Sequence, residues 1–153
     1  MSIKKPEIYL VAHNVRSLFN VGAIFRTADV FGVSKIFLGG YTGTPPRNEI
    51  SKVALGAEEW VPWEHKKHIT TLLKQLKKQG ILVVALETGS RATPLPKLKP
   101  RHPLVLVVGN EVKGLPKSIL KIADLVVEIP MVGKKESLNV AVAAGIALYA
   151  LRN

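Results

Sequence analysis

Three short segments carry side chains whose types and spacing could do chemistry. Gly109-Asn110-Glu111-Val112-Lys113-Gly114-Leu115-Pro116 sets two glycines five apart directly after an apolar run, Asn20 precedes Arg26 by six residues, and Ser137 and Asn139 stand at the start of an apolar stretch. The glycine pair superficially suggests a phosphate loop. Such a loop needs Lys and then Ser or Thr after its second glycine, and Leu115-Pro116 follows instead. No Gly-x-Gly-x-x-Gly occurs either, so an ordinary dinucleotide site is not expected. With no cysteine, disulfides and cysteine-bearing metal or redox sites are excluded, and His13, His65, His68 and His102 complete no zinc pattern. No metal is expected. What remains is a ligand gripped by backbone groups of irregular loops.

The elements that must hold these loops alternate short apolar runs with helical patterns, which predicts an α/β fold with a mainly parallel sheet flanked by helices. Strands are expected at Ile8 to Ala12, Lys35 to Leu38, Ile81 to Leu86, Leu104 to Val108 and Leu125 to Ile129, with a shorter one at Trp60 to Trp63. Helices are expected at Val21 to Phe31, Ile69 to Gln79 and Ser137 to Leu151, the first two closed by Gly32 and Gly80. Ligands of such sheets sit beyond the carboxyl ends of the strands, which is where the segments after Val108 and Ile129 fall. Gly39 to Asn48 and the four-proline segment Thr88 to Pro103 look irregular and are candidate substrate loops, with a stiff linker as the alternative for the second. The last helix has no polar face, so its far side either meets another subunit or lies wholly inside.

Length and charge bound the rest. At 153 residues the chain fits one domain with a real core. Lys and Arg total 22 against 11 Asp and Glu, a net charge of +11, which favours a polyanionic partner through counterion release. Lipid is the weakest candidate, because the cations are scattered and not aligned along one amphipathic face. No run of about 18 apolar residues offers a membrane span, and the amino terminus carries neither a secretory nor a transit pattern, so a soluble, cytoplasmic protein is expected.

Taken together and in order, three segments resemble the SpoU-type branch of the SPOUT superfamily of RNA methyltransferases. They are Asn20-Val21-Gly22-Ala23-Ile24-Phe25-Arg26-Thr27-Ala28, Val107 to Leu115, and Ile129-Pro130-Met131 followed by Ser137-Leu138-Asn139-Val140-Ala141. The resemblance covers essentially the whole chain as one catalytic domain, without the extra RNA-binding domain of larger relatives. It implies a carboxyl-terminal deep trefoil knot, an obligate homodimer, S-adenosylmethionine as methyl donor, and transfer to a ribose 2′-hydroxyl of transfer RNA or, second, ribosomal RNA. Other branches methylate a base nitrogen, and a non-catalytic RNA-binding homologue is the third reading.

By the same resemblance Arg26 is the catalytic arginine, Asn20 helps arrange its site, Glu111 supports pocket and substrate, and Ser137 and Asn139 place the RNA and the donor. Leu86, Glu87, Gly109, Asn110, Glu111, Ile129, Met131, Ser137, Leu138 and Asn139 are expected around the donor. Arg16, Arg26, Arg91, Lys97, Lys99 and Arg101 are expected at the RNA. Arginine is a poor general base, which leaves open whether Arg26 removes the hydroxyl proton or stabilises the forming alkoxide. Plainer roles compete: Asn20 and Ser137 as helix caps, Arg26 paired with Asp29, and Glu111 as a surface loop acid.

Overall fold

A computed structural model of the chain describes residues 5–153. Its strands are β1 (Ile8–His13), β2 (Lys35–Gly39), β3 (Trp63–Lys66), β4 (Leu82–Leu86), β5 (Thr93–Pro94), β6 (Leu104–Val108) and β7 (Leu125–Glu128). Its helices are α1 (Leu18–Val30), α2 (Asn48–Ala54), α3 (Ala57–Trp60), α4 (Ile69–Lys78), α5 (Lys117–Ile122) and α6 (Val140–Arg152). The strands form one sheet in the order β3-β2-β1-β6-β4-β7-β5, and every pairing is parallel.

Side chains alternate across the sheet, so each strand feeds two cores. Ile8, Leu10, Ala12, Leu104, Leu106 and Val108 pack on the face that carries α1, α2, α3 and α6. Val11, Val83, Ala85, Val105 and Val107 pack on the face that carries α4 and α5. All five residues of β6 are buried, as a central parallel strand covered on both faces requires. Because β6 enters between β1 and β4, the carboxyl ends of β4, β6 and β7 lie side by side.

Several expected boundaries move for local reasons. Helix α1 begins at Leu18, because the Ser17 hydroxyl caps it by accepting from the Asn20 amide at 3.2 Å; Asn20 is therefore not a cap. Helix α6 begins at Val140, capped by Asn139, whose side-chain oxygen accepts from Ala141 N at 2.9 Å and Val142 N at 3.2 Å; Ser137 is therefore not a cap either. Trp60 ends α3 and donates its indole N–H to Asp29 at 2.8 Å, so the short strand starts only at Trp63, beyond Pro62. Segment Thr88 to Pro103 is partly regular, holding β5 and a 3-10 turn at Leu95–Lys97 pinned by buried Leu95. Asn48, placed at the end of an irregular loop, opens α2, whose Ile50 carbonyl lies against Gly22 so closely that a Cβ there would collide.

Helix α6 is not internal. Val142, Ile146 and Tyr149 are 52%, 41% and 62% exposed, and with Ala23, Thr27 and Phe31 of α1 they make a continuous apolar surface. The end of α6 is anchored by Arg152, whose guanidinium donates to the carbonyls of Phe31, Pro6 and Gly32 at 2.7, 2.6 and 2.8 Å. Losing those charge-assisted bonds while keeping the aliphatic stem, as in Arg152→Met, should destabilise the fold by about 1–3 kcal/mol after allowing for partial solvent access. Urea unfolding checks this through a lower midpoint at unchanged slope.

Candidate active site

Beyond the carboxyl ends of β4, β6 and β7 lies a cavity of about 710 Å³ counting its open mouth. Its wall takes Leu86, Glu87 and Thr88 from β4, Val108 to Val112 and Gly114 from the β6 end, Glu128, Ile129 and Met131 from β7, and Glu136, Ser137, Leu138, Val140 and Ala143 from the approach to α6. Every residue expected around the donor lines it except Asn139, whose chain neighbours Leu138 and Val140 do. Thr88, Glu128 and Glu136 line it without being expected around the donor; they join because the strands they follow or end finish at one place.

The segment after β6 is a tight hairpin. Asn110 N–H donates to the Gly114 carbonyl at 3.3 Å and Gly114 N–H to the Asn110 carbonyl at 3.0 Å, while the Asn110 side-chain oxygen accepts from Val112 N and Lys113 N at 2.9 and 2.8 Å. Gly114 holds φ +66°, and a Cβ on Gly109 would stand 2.7 Å from the Gly114 carbonyl oxygen, so both positions require glycine. Glu87 ties the far side down by accepting from Leu115 N at 2.8 Å.

Glu111 is no loose surface acid. Its carboxylate accepts from the backbone N–H groups of Arg16 and Ser17, both at 3.0 Å, and from the Asn20 side-chain amide at 3.2 Å. An anion is thereby held at the positive end of α1. Burial pushes the Glu111 carboxyl up, but the Ser17, Arg16 and Glu111 amides with Asn20 outweigh it and hold it below the ordinary value. Asn20 turns its other side to Asn139, whose side-chain amide donates to the Asn20 oxygen at 3.0 Å. One side chain thus joins all three motif segments.

Arg26 does not join them. It is exposed on α1, lines none of the cavities described here, and makes no ion pair among the described residues; Asp29 is engaged by Trp60 instead. Arg16 lies beside Glu111 on a second groove with Tyr41 and Lys113. Arg91, Lys97, Lys99 and Arg101 are all exposed around β5. Among the described residues no group of three or more His, Cys, Asp or Glu could hold a metal ion, and no helix is long and apolar enough to cross a membrane.

A depressed carboxyl contributes stability above its unfolded pKa and loses it as pH falls through the folded one. Glu111→Gln should therefore cost about 1 kcal/mol near neutrality, discounted for solvent screening. The difference between wild type and variant should shrink as pH drops through the carboxylate range. Thermal melts of both proteins across that range check this; a gap that widens in acid would contradict it.

A family model described as the SpoU rRNA Methylase family matches residues 7–149. The tRNA (guanosine(18)-2'-O)-methyltransferase of Aquifex aeolicus is 34% identical over 147 residues, covering 95% of this chain and 69% of the relative. The 23S rRNA (guanosine-2'-O-)-methyltransferase RlmB of Nitrosomonas europaea is also 34% identical over 147 residues, covering 96% of this chain and 56% of the relative. The chain thus spans between just over half and about two thirds of these curated relatives. Among solved structures, an AdoMet-bound rRNA methyltransferase from Sinorhizobium meliloti matches with a TM-score of 0.88 at 30% identity, over 98% of this chain and 57% of that one. The A. aeolicus TrmH/SpoU tRNA modifying enzyme matches with the same TM-score, 0.88, at 33% identity, over 97% and 75% of the two chains. A family model matching nearly the whole chain, relatives at 34% identity and the shared fold agree, and the chain belongs to the SpoU methylase family.

Proposed function

We propose that the chain transfers a methyl group from S-adenosylmethionine to a ribose 2′-hydroxyl of structured RNA, with transfer RNA ahead of ribosomal RNA. The observation that carries this reading is the union of Asn20, Glu111 and Asn139 by direct hydrogen bonds at the rim of the cavity. The reading is of residues 7–149 as one catalytic unit, knotted in its carboxyl-terminal portion, acting on RNA in the cytoplasm. A solved structure whose subject is 2-OH methylation of C/U34 on tRNA matches over 94% of this chain and 93% of its own, at 26% identity and a TM-score of 0.81, which supports transfer RNA as substrate.

The cavity suits the donor. Its walls mix apolar side chains such as Leu86, Ile129 and Leu138 with the main chain at Gly109 and Gly114, where a Cβ would collide with the hairpin backbone or with Glu87. When bound there, S-adenosylmethionine supplies an electrophilic methyl on a positively charged sulfur. Ser137 and Asn139 orient it together with the RNA, and Glu111 keeps the hairpin wall in place. Arg26, facing solvent in its own chain, serves the cavity of a partner subunit, where its guanidinium stabilises the alkoxide that forms as the hydroxyl loses its proton. The apolar α1–α6 surface next to it is the interface of that homodimer. Exposed Arg91, Lys97, Lys99 and Arg101 meet RNA phosphates at the periphery.

The reaction is tested by incubating the protein with labelled S-adenosylmethionine and unmodified tRNA or 23S rRNA transcripts, then digesting to nucleosides. A 2′-O-methylnucleoside is expected without added metal; a base-methylated nucleoside would replace this reading with the alternative branch. The shared site is tested by mixed refolding of Arg26→Ala with Gly109→Trp, each inactive alone. Random pairing should give about half hybrids with one complete site each, and so about a quarter of wild-type activity. Verified hybrids that regain no methylation would place Arg26 in its own chain's site.

A further inference from the structure

The loop between β2 and α2 is built to hold one aromatic ring in place. Gly40 takes φ +61° and Asn14 φ 55°, and the Asn14 side-chain oxygen accepts from Tyr41 N at 3.1 Å. Next along the chain, buried Thr42 donates its hydroxyl to the Ala12 carbonyl and accepts from Val15 N, both at 3.0 Å. The backbone of Tyr41 is thus fixed on both sides. Its ring is held as well: the Asn110 side-chain amide donates to the Tyr41 hydroxyl at 2.8 Å and to the Asn14 carbonyl at 2.9 Å. Yet Tyr41 is 61% exposed.

A ring tethered this firmly and left in solvent adds little to the core, but it offers stacking area with little ordering cost on binding. Its surroundings say what would stack there. Tyr41 lines a groove of about 1240 Å³ counting its open mouth, with Arg16 and Lys113 on its walls, and Asn110, Glu111 and Val112 line both this groove and the donor cavity. The Glu111 oxygens are taken up by the Arg16 and Ser17 amides and by Asn20, whereas neither Arg16 nor Lys113 has an acidic partner among the described residues. The groove is therefore cationic, aromatic and continuous with the place where the methyl group would be delivered.

We propose that this groove seats the substrate nucleotide: Tyr41 stacks on an unpaired RNA base, and Arg16 and Lys113 meet the phosphates beside it. A stacking platform reads the face common to all bases, so it selects an unstacked nucleotide over a paired one without selecting its identity. This rests on the reading of the chain as an RNA ribose methyltransferase and adds to it the seat of the acceptor.

Binding of an unmodified tRNA transcript and a 23S rRNA transcript is compared for wild type, Tyr41→Phe, Tyr41→Ala and the Arg16→Gln/Lys113→Gln double variant, with S-adenosylmethionine binding measured separately by calorimetry. Tyr41→Ala should weaken the better-bound RNA about tenfold and leave donor affinity unchanged. Tyr41→Phe, which keeps the ring and loses the hydroxyl that tethers it, should bind RNA more tightly than Tyr41→Ala and at most a few-fold, on the order of twofold, more weakly than wild type. The double variant should lower the slope of log affinity against log salt by about 1.4, the value for two contacts to single-stranded nucleic acid. The proposal is overturned if Tyr41→Ala binds RNA as wild type does, or if wild type binds neither transcript. It is also overturned if Tyr41→Phe is as weak as Tyr41→Ala and donor affinity falls with it, since the hydroxyl would then merely tether Asn110. Should the binding pattern hold while neither RNA is methylated, the groove stands and the methyltransferase reading fails.

Discussion

The side-chain amide of Asn20 is the contact on which the rest of the site depends. Its nitrogen reaches Glu111 and its oxygen accepts from Asn139, over sequence separations of 91 and 119 residues. Each partner is itself committed to a helix terminus: Glu111 to the amides that open α1, and Asn139 to those that open α6. The two helix beginnings and the hairpin after β6 are therefore fixed relative to one another by one polar cluster. Such a cluster is stable only when every member is satisfied, because a partly bonded polar group near a low-dielectric interior costs more than an apolar one. This links the fold to the chemistry: a change that frees Asn20 also loosens the wall of the cavity.

That cluster can exist because of how the sheet is ordered. Strand β6 enters between β1 and β4, so the turn after Val108 emerges beside both the β1–α1 turn and the ends of β4 and β7. The cavity is the space where these turns diverge. Close packing of backbone on backbone at Gly109 and Gly114 leaves polar main-chain groups on the cavity wall, with Glu87 bracing the hairpin from behind. The same hairpin carries Asn110, which faces the other way to hold Tyr41. One short turn thus separates, and mechanically connects, the cavity at the sheet edge and the groove that holds Tyr41.

The outer surface of α1 and α6 completes the arrangement. The two helices pack side by side and present a single apolar face, and a Cβ added at Gly145 would meet Thr27 at 3.4 Å, so the glycine is not what sets their approach. Arg26 shares α1 with the buried residues Ile24, Phe25 and Ala28 but is exposed and lines no part of the cavity of its own chain.

Much of this was legible in the residues themselves. The alternation of apolar runs with helical patterns determined an α/β fold and placed five strands within a residue of their ends, because burial on both faces of a parallel sheet leaves a direct mark on composition. The second and third motif segments mark most of the residues that line the cavity, and the rest come from the end of β4 and from the neighbours of the third segment. The sequence did not determine which amides cap which helices: Ser17 and Asn139 outcompete Asn20 and Ser137 through backbone geometry, which residue type alone does not encode. Nor did it disclose α2, α3 and α5, whose few turns are stabilised by packing and not by periodicity. The joining of Asn20 to Glu111 and Asn139, the separation of Arg26 from them, and the tethering of Tyr41 by Asn110 were decided only by tertiary structure. Each is a contact between residues far apart in the chain, set by strand order, and strand order leaves no local trace in the sequence.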